Sequence, residues 1–212
     1  MKKKKLPIRW KRKVGCLILF VPAVIVIATI TILISSIVNS DSVFKTIKDA
    51  PNRIIELNVP EENIPLYKEA ADVYSIPWTL LAAHHRVETR FSTMDPLLSP
   101  VGAEGHLQFM PCTFVGWSHP SCSGQGQGDI SEEDKVNIDV IAYYGGYGVD
   151  GNGDGIADPY NLTDSLYSAA NYLSQNGAAE GELERAIFQY NHSEEYVADV
   201  LHYYHLYEEE YN

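Results

Sequence analysis

Acidic residues are absent from the first forty positions, which nevertheless hold eight of the sixteen lysines and arginines. Past that point basic charge becomes the scarce kind: eight basic residues face twenty-eight acidic ones, a net of −20. A domain this acidic repels nucleic-acid phosphates, which excludes nucleic acid as a partner. Cysteine is nearly missing, with three in 212 residues. Strand signals are few, no segment repeats, and no low-complexity tract exists beyond the basic N-terminus. A helical domain is what the patterns point to.

What is present begins with one long apolar run. Residues 14–38 carry no charge over 25 positions. At about 1.5 Å per residue, such a helix crosses a hydrocarbon core of about 30 Å with some tilt. The basic stretch at 1–13, "KKKKLPIRWKRK", precedes it and the acidic part follows. The positive-inside rule then predicts a single-pass anchor in the cell membrane, N-terminus cytoplasmic and acidic domain outside. A cleaved signal peptide is the competing reading, but its apolar core spans only about 7–15 residues and no A-x-A site follows here. Residues 39–62 mix polar residues, prolines and short apolar pieces and read as a stalk; 63–207 read as the folded domain, and 208–212 as an acidic tail. Of the cysteines, Cys16 falls in the apolar run. Cys112 and Cys122, in "PCTFVGWSHPSC", would lie in an oxidising compartment, where a bridge stapling one short loop is expected over two free thiols.

Helical patterns fill the domain. "NIPLYKEAADVYS" has apolar residues at helical spacing, and "IPWTLLAAHHRVE" places Pro77 at a favourable first-turn position. "SEEDKVNIDVIAYYGG" starts at a Ser131 cap, puts acids in its first turn and stops at glycines, which reads as one helix. "TDSLYSAANYLSQNG" is expected to be capped by Thr163 or Asp164 and to end at Gly177. "GELERAIFQYN" and "SEEYVADVLHYYHLYEEE" follow, for a mainly α domain of about six or seven helices, with short extended pieces at 95–108 and 145–156.

Three stretches carry candidate chemistry. "HHRVETRFS" ends an apolar helix on Glu88, whose ionised form desolvation would disfavour, as a general acid near neutral pH requires. A surface glutamate paired with Arg86 or Arg90 is the ordinary alternative. "SPVGAEGHLQFMP" offers Gly102, Ala103 and Gly105 for close backbone approach and Gln108 as donor and acceptor. "AIFQYNHS" puts Tyr190 and Asn191 at another helix end, where a tyrosine can stack on a sugar and bond it at once.

In that order and spacing, "LAAHHRVETRF", "SPVGAEGHLQFMP" and "AIFQYNHS" resemble the soluble-type lytic transglycosylases, the goose-lysozyme-like enzymes of glycoside hydrolase family 23, over roughly Asn63 to Leu201. Threonine follows Glu88 here where serine is commoner, and His192 follows Asn191 where the best-known members have Ala-Gly. The resemblance implies a lysozyme-like helical fold and cleavage of the MurNAc–GlcNAc β-1,4 bond of peptidoglycan glycan strands without a catalytic cofactor. Glu88 would act as acid and base, Thr89 would steady the N-acetyl region, and Gly102 to Gly105 with Gln108 would line the subsite beside the scissile bond. Tyr190 and Asn191 would close the cleft. A peptidoglycan-hydrolysing muramidase, needing a second acid such as Asp95, Glu104 or Asp129, and a non-catalytic wall-binding protein are the other readings.

"DGNGDGIADP" matches a calcium-loop pattern. Asp150, Asn152, Asp154, Ile156 and Asp158 occupy positions 1, 3, 5, 7 and 9, with Gly155 at position 6. The usual Glu at position 12 is replaced by Asn161, with Asp164 three further on, so a structural calcium of moderate or weak affinity is expected. His84 and His85 are adjacent and face different sides of a helix, and His202 and His205 have no third ligand near in sequence, which argues against zinc.

Overall fold

The computed structural model describes residues 58–211, and Val59 to Tyr211 form one folded unit. The basic N-terminus, the apolar run 14–38 and most of the expected stalk lie outside the described residues. Among the described residues no helix is long and apolar enough to cross a membrane.

Eight α-helices and two short 3₁₀ turns make up the described part, and β structure is limited to isolated bridges. Helix α1, Ile64–Tyr74, has a proline in its first turn, buries Tyr67, Ala70 and Ala71, and stops at Ser75 in the left-handed conformation. Helix α2, Trp78–Thr89, has Pro77 as its extended N-cap, one position before the expected first turn. Helix α3, Pro111–Val115, is a short turn closed by Gly116. Helices α4, Glu132–Val136, and α5, Ile138–Tyr144, come next, then α6, Leu162–Gln175, α7, Leu183–Tyr190, and α8, Glu194–Tyr211.

Helix α2 is the central element. Leu80, Leu81, Ala82, Ala83, His84 and His85 are all buried, so nearly its whole circumference is covered, and α1, α6 and α8 pack against it. The alanines let neighbouring backbones approach closely.

Four expectations are corrected. The segment 131–146 is two helices rather than one. Asn137 leaves the helical conformation to bridge Ile156, Ala157 N–H donates to Val136 O at 2.9 Å, and the Asn137 side chain caps α5 by accepting from Asp139 and Val140 N–H. Helix α6 is capped by Asn161, which accepts from Thr163 and Asp164 N–H, so neither Thr163 nor Asp164 is the cap. The C-terminal residues are no loose acidic tail: α8 continues to Tyr211, Glu208 accepts a hydrogen bond from Thr79, and the Tyr211 ring packs on Trp78 with centroids 5.6 Å apart. The extended pieces expected at 95–108 and 145–156 shrink to the single-residue bridges Leu98–Glu104, Glu104–Phe109 and Asn137–Ile156. Cys112 and Cys122 are disulfide-bonded, with Cα atoms 5.7 Å apart.

Candidate active site

The site is built from the last turn of α2. Its first two turns are locked in the core, and Glu88 in the last turn is half-buried. The chain then reverses through three consecutive left-handed residues, Arg90, Phe91 and Ser92, with φ of 51°, 58° and 67°. Arg90 N–H returns to Arg86 O at 3.0 Å and Phe91 N–H to His85 O at 3.2 Å, satisfying the terminal carbonyls of the helix.

The Glu88 carboxylate accepts a 2.6 Å hydrogen bond from the Tyr196 hydroxyl, which reaches it from the first turn of α8. Burial pushes the Glu88 pKa up to about 7, while the Tyr196 bond pulls the other way by favouring the ionised form. Beside it, the Tyr190 ring lies parallel to that of Tyr196 at 6.5 Å, and the Tyr190 hydroxyl donates to Leu107 O at 2.8 Å. Burial, followed by the neighbouring carboxylate, holds both phenols far above their ordinary range, so both stay neutral donors.

Glu88 and Tyr190 open onto a groove with a volume of about 370 Å³. Glu88, Ala103, Gln108, Met110, Tyr190 and Asn191 line it, together with Ser99, Val101 and His192. A small recess of about 50 Å³ continues it past Met110 and Tyr190 towards Thr113 and Tyr172. A larger, shallower depression of about 540 Å³ between Gly181–Arg185 and α8 shares no residue with the groove.

Of the residues expected here, Glu88, Ala103, Gln108, Tyr190 and Asn191 meet in the groove. Gln108 has φ of 50°, and its amide donates to Gly105 O at 2.7 Å. The remaining three stand outside the lining. Thr89 is buried and donates its hydroxyl to His106 O at 2.8 Å while accepting from Ser92 N–H. Gly105 is glycine because a Cβ there would lie 1.9 Å from Pro159 O, and Gly102 sits against Gln127. All three hold the groove-side loop in place. The carboxylates considered as a second acid are elsewhere: Glu104 is ion-paired to Lys135 at 2.7 Å, and Asp95 and Asp129 are exposed and outside the lining.

No family model, curated protein or solved structure matches this chain. The functional reading therefore rests on the site itself.

Three parts of the site escape sequence reasoning. Tyr196 is one, for it lies 108 positions from Glu88; its place in the first turn of an amphipathic helix is the only local signal. His84 is another. It is fully buried, its Nδ1 faces Leu80 O at 3.0 Å, and its ring packs edge-on against Tyr190 and Tyr196. Burial lowers its pKa to about 4, so it is a neutral wall behind both tyrosines. The third is a chain of hydrogen bonds. His106 Nε2 faces the Tyr160 carbonyl at 2.9 Å and so carries the proton. Its Nδ1 then accepts from the Ser92 hydroxyl at 2.6 Å, Ser92 accepts from His85 Nε2 at 2.7 Å, and His85 Nδ1 accepts from Tyr67 at 2.7 Å. Desolvation lowers both histidines, His85 to about 3, which keeps the chain uncharged.

That chain ends at Tyr160, two residues past the aspartate-rich loop 150–158. Asp150 accepts from Gly153, Asp154 and Gly155 N–H, and Asn152 lies 3.0 Å from Asp154. Asp158 turns to Tyr160 N–H at 2.8 Å. Of the two residues considered for completing a metal shell, Asn161 is committed to capping α6. Asp164, fully buried, ties the loop's two ends together by accepting from Gly151, Asn152 and Asp158 N–H. The oxygen-only donors suit calcium, but among the described residues no three acidic, histidine or cysteine side chains gather on one point.

Proposed function

We propose that this chain is a peptidoglycan lytic transglycosylase, anchored by its N-terminal apolar run and working on glycan strands outside the cell. The observation that carries the reading is that, among the described residues, one carboxyl group lines the groove, Glu88, with its pKa raised to about 7 by burial. A two-carboxylate glycosidase needs a second acid across the scissile bond. Among the described residues the groove lining offers none.

One group can serve both halves of the reaction. Protonated Glu88 gives its proton to the glycosidic oxygen as the bond from that oxygen to C1 breaks. The substrate's own acetamido oxygen supports C1 meanwhile. The Glu88 carboxylate left behind is held by the Tyr196 hydroxyl, which strengthens as a donor when its acceptor is charged. Glu88 then removes the proton from the sugar's C6 hydroxyl, whose oxygen attacks C1 and closes the 1,6-anhydro ring. Proton count is restored and no water enters. Gln108, Asn191 and Tyr190 supply polar and aromatic groups along the walls for the acetamido-sugar rings. A calcium ion in the loop 150–158, if bound, would stiffen the support behind the groove and take no part in the chemistry.

Mass spectrometry of fragments released from purified peptidoglycan tests this. Products ending in 1,6-anhydro-muramic acid are expected. New reducing ends would make the enzyme a muramidase, and binding without release by folded protein would make it a wall-binding module.

A further inference from the structure

Trp117 is a large apolar side chain left 53 % exposed on a loop that has no freedom to hide it. The residues on both sides are fixed to the end of α5. A Cβ on Gly116 would lie 2.3 Å from Tyr144 O, and the Ser118 hydroxyl donates to that same oxygen at 2.6 Å. The Cys112–Cys122 bond and the hydrogen bond from Cys112 N–H to Gly126 O close the loop on itself. Trp117 is thus displayed in one place.

That place adjoins the groove. The indole edge and Met110, a lining residue, both pack against Gly126: a Cβ there would stand 3.1 Å from the ring and 3.5 Å from Met110. Gln127, next in the chain, donates to the carbonyl of Val101, another lining residue, at 2.7 Å. The stapled loop therefore continues the groove wall past Met110.

We propose that Trp117 is the platform of a distal subsite, stacking on a sugar ring of the glycan strand beyond the rings held at Glu88. A flat ring with an exposed face matches the C–H face of a pyranose, and a rigid platform loses little entropy on binding. This rests on reading the groove as a glycan cleft. It adds that the enzyme distinguishes long strands from short fragments, because a short fragment fills the sites near Glu88 without reaching Trp117.

The test uses full-length protein carrying Glu88→Gln, so that bound strands survive, with two probes: soluble glycan strands stripped of peptides, and the GlcNAc–MurNAc disaccharide. Adding Trp117→Ala should weaken strand binding by about tenfold, leave disaccharide binding unchanged, and be largely rescued by Trp117→Phe. Saturating strands should also shield Trp117 from oxidation in the protein that retains it, read by mass spectrometry of its peptide; this readout does not depend on how well a variant folds. Undiminished strand binding in Trp117→Ala, equal loss for both probes, or oxidation of Trp117 indifferent to strands would overturn the subsite alone. Failure of the Glu88→Gln parent to bind either probe would instead bring down the glycan reading of the groove, and the subsite with it.

Discussion

Glu88 sits between two opposed influences, and its behaviour with pH follows from them. Burial raises its pKa from 4.5 to about 7. The folded state therefore holds this proton more tightly than the unfolded chain does. Below pH 4.5 both states are protonated and the group costs nothing. As pH rises through the window to about 7 the fold loses roughly 3 kcal/mol, and the full loss persists above it. Glu88→Gln removes the charge altogether. It should melt with the parent near pH 4 and above it near pH 8, while its rate on peptidoglycan drops by at least about 10²–10⁴. Equal melting temperatures at the higher pH would contradict the burial argument. In the parent, activity should decline as pH passes through about 7, because only the protonated acid can start the reaction. Tyr196→Phe removes the donor that favours the ionised form, so that decline should move to higher pH while the maximal rate falls about tenfold or more. A decline that stays put or moves down would show that Tyr196 does not act on Glu88.

At the scale of elements, local signals were readable and distant pairings were not. Pro77 announces the start of α2, and its apolar run gives its place in the core, because capping and periodicity are written within a few residues. The break at Asn137 was hidden, since its cause, the bridge to Ile156, lies nineteen positions away. Glu88, Gln108, Tyr190 and Asn191 were legible through their motifs. Thr89 was legible as a residue near the site but not as a buried tie to His106, which depends on how the 90–106 loop folds back. The disulfide loop closes a ring short enough that its loss should cost about 2–3 kcal/mol through the entropy returned to the unfolded chain. The doubly substituted Cys112→Ser, Cys122→Ser protein should therefore melt lower than the oxidised parent and match it under reducing conditions; identical melts throughout would refute that contribution. For the aspartate-rich loop, calcium binding only to the folded chain should raise the melting temperature as calcium is added, by the equivalent of about 2.7 kcal/mol at a hundredfold excess over its dissociation constant. Asp154→Ala should flatten that response. A parent indifferent to calcium and chelator alike would leave the loop held by Asp164 alone.

For the whole molecule, charge and burial are arranged on different principles. Most acidic side chains among the described residues are exposed or half-buried, while groups at the site are kept neutral: His84 and His85 by desolvation, Tyr190 and Tyr196 as undissociated phenols, and Glu88 as an acid on the edge of ionising. The described unit reaches from Val59 to Tyr211, wider than composition suggested, because Val59 N–H bonds the Tyr211 hydroxyl at 3.3 Å and joins the two ends. Helix α2 runs through the middle of this unit, and its final turn bears Glu88. If Glu88 is the catalytic acid, the described unit accordingly cannot lose its site without losing its core. Loosening Glu88 means withdrawing the axle on which the other helices are mounted. On warming, loss of catalysis and loss of helical circular dichroism should trace one curve, whereas an enzyme whose acid rode on a surface flap would fall silent while still folded.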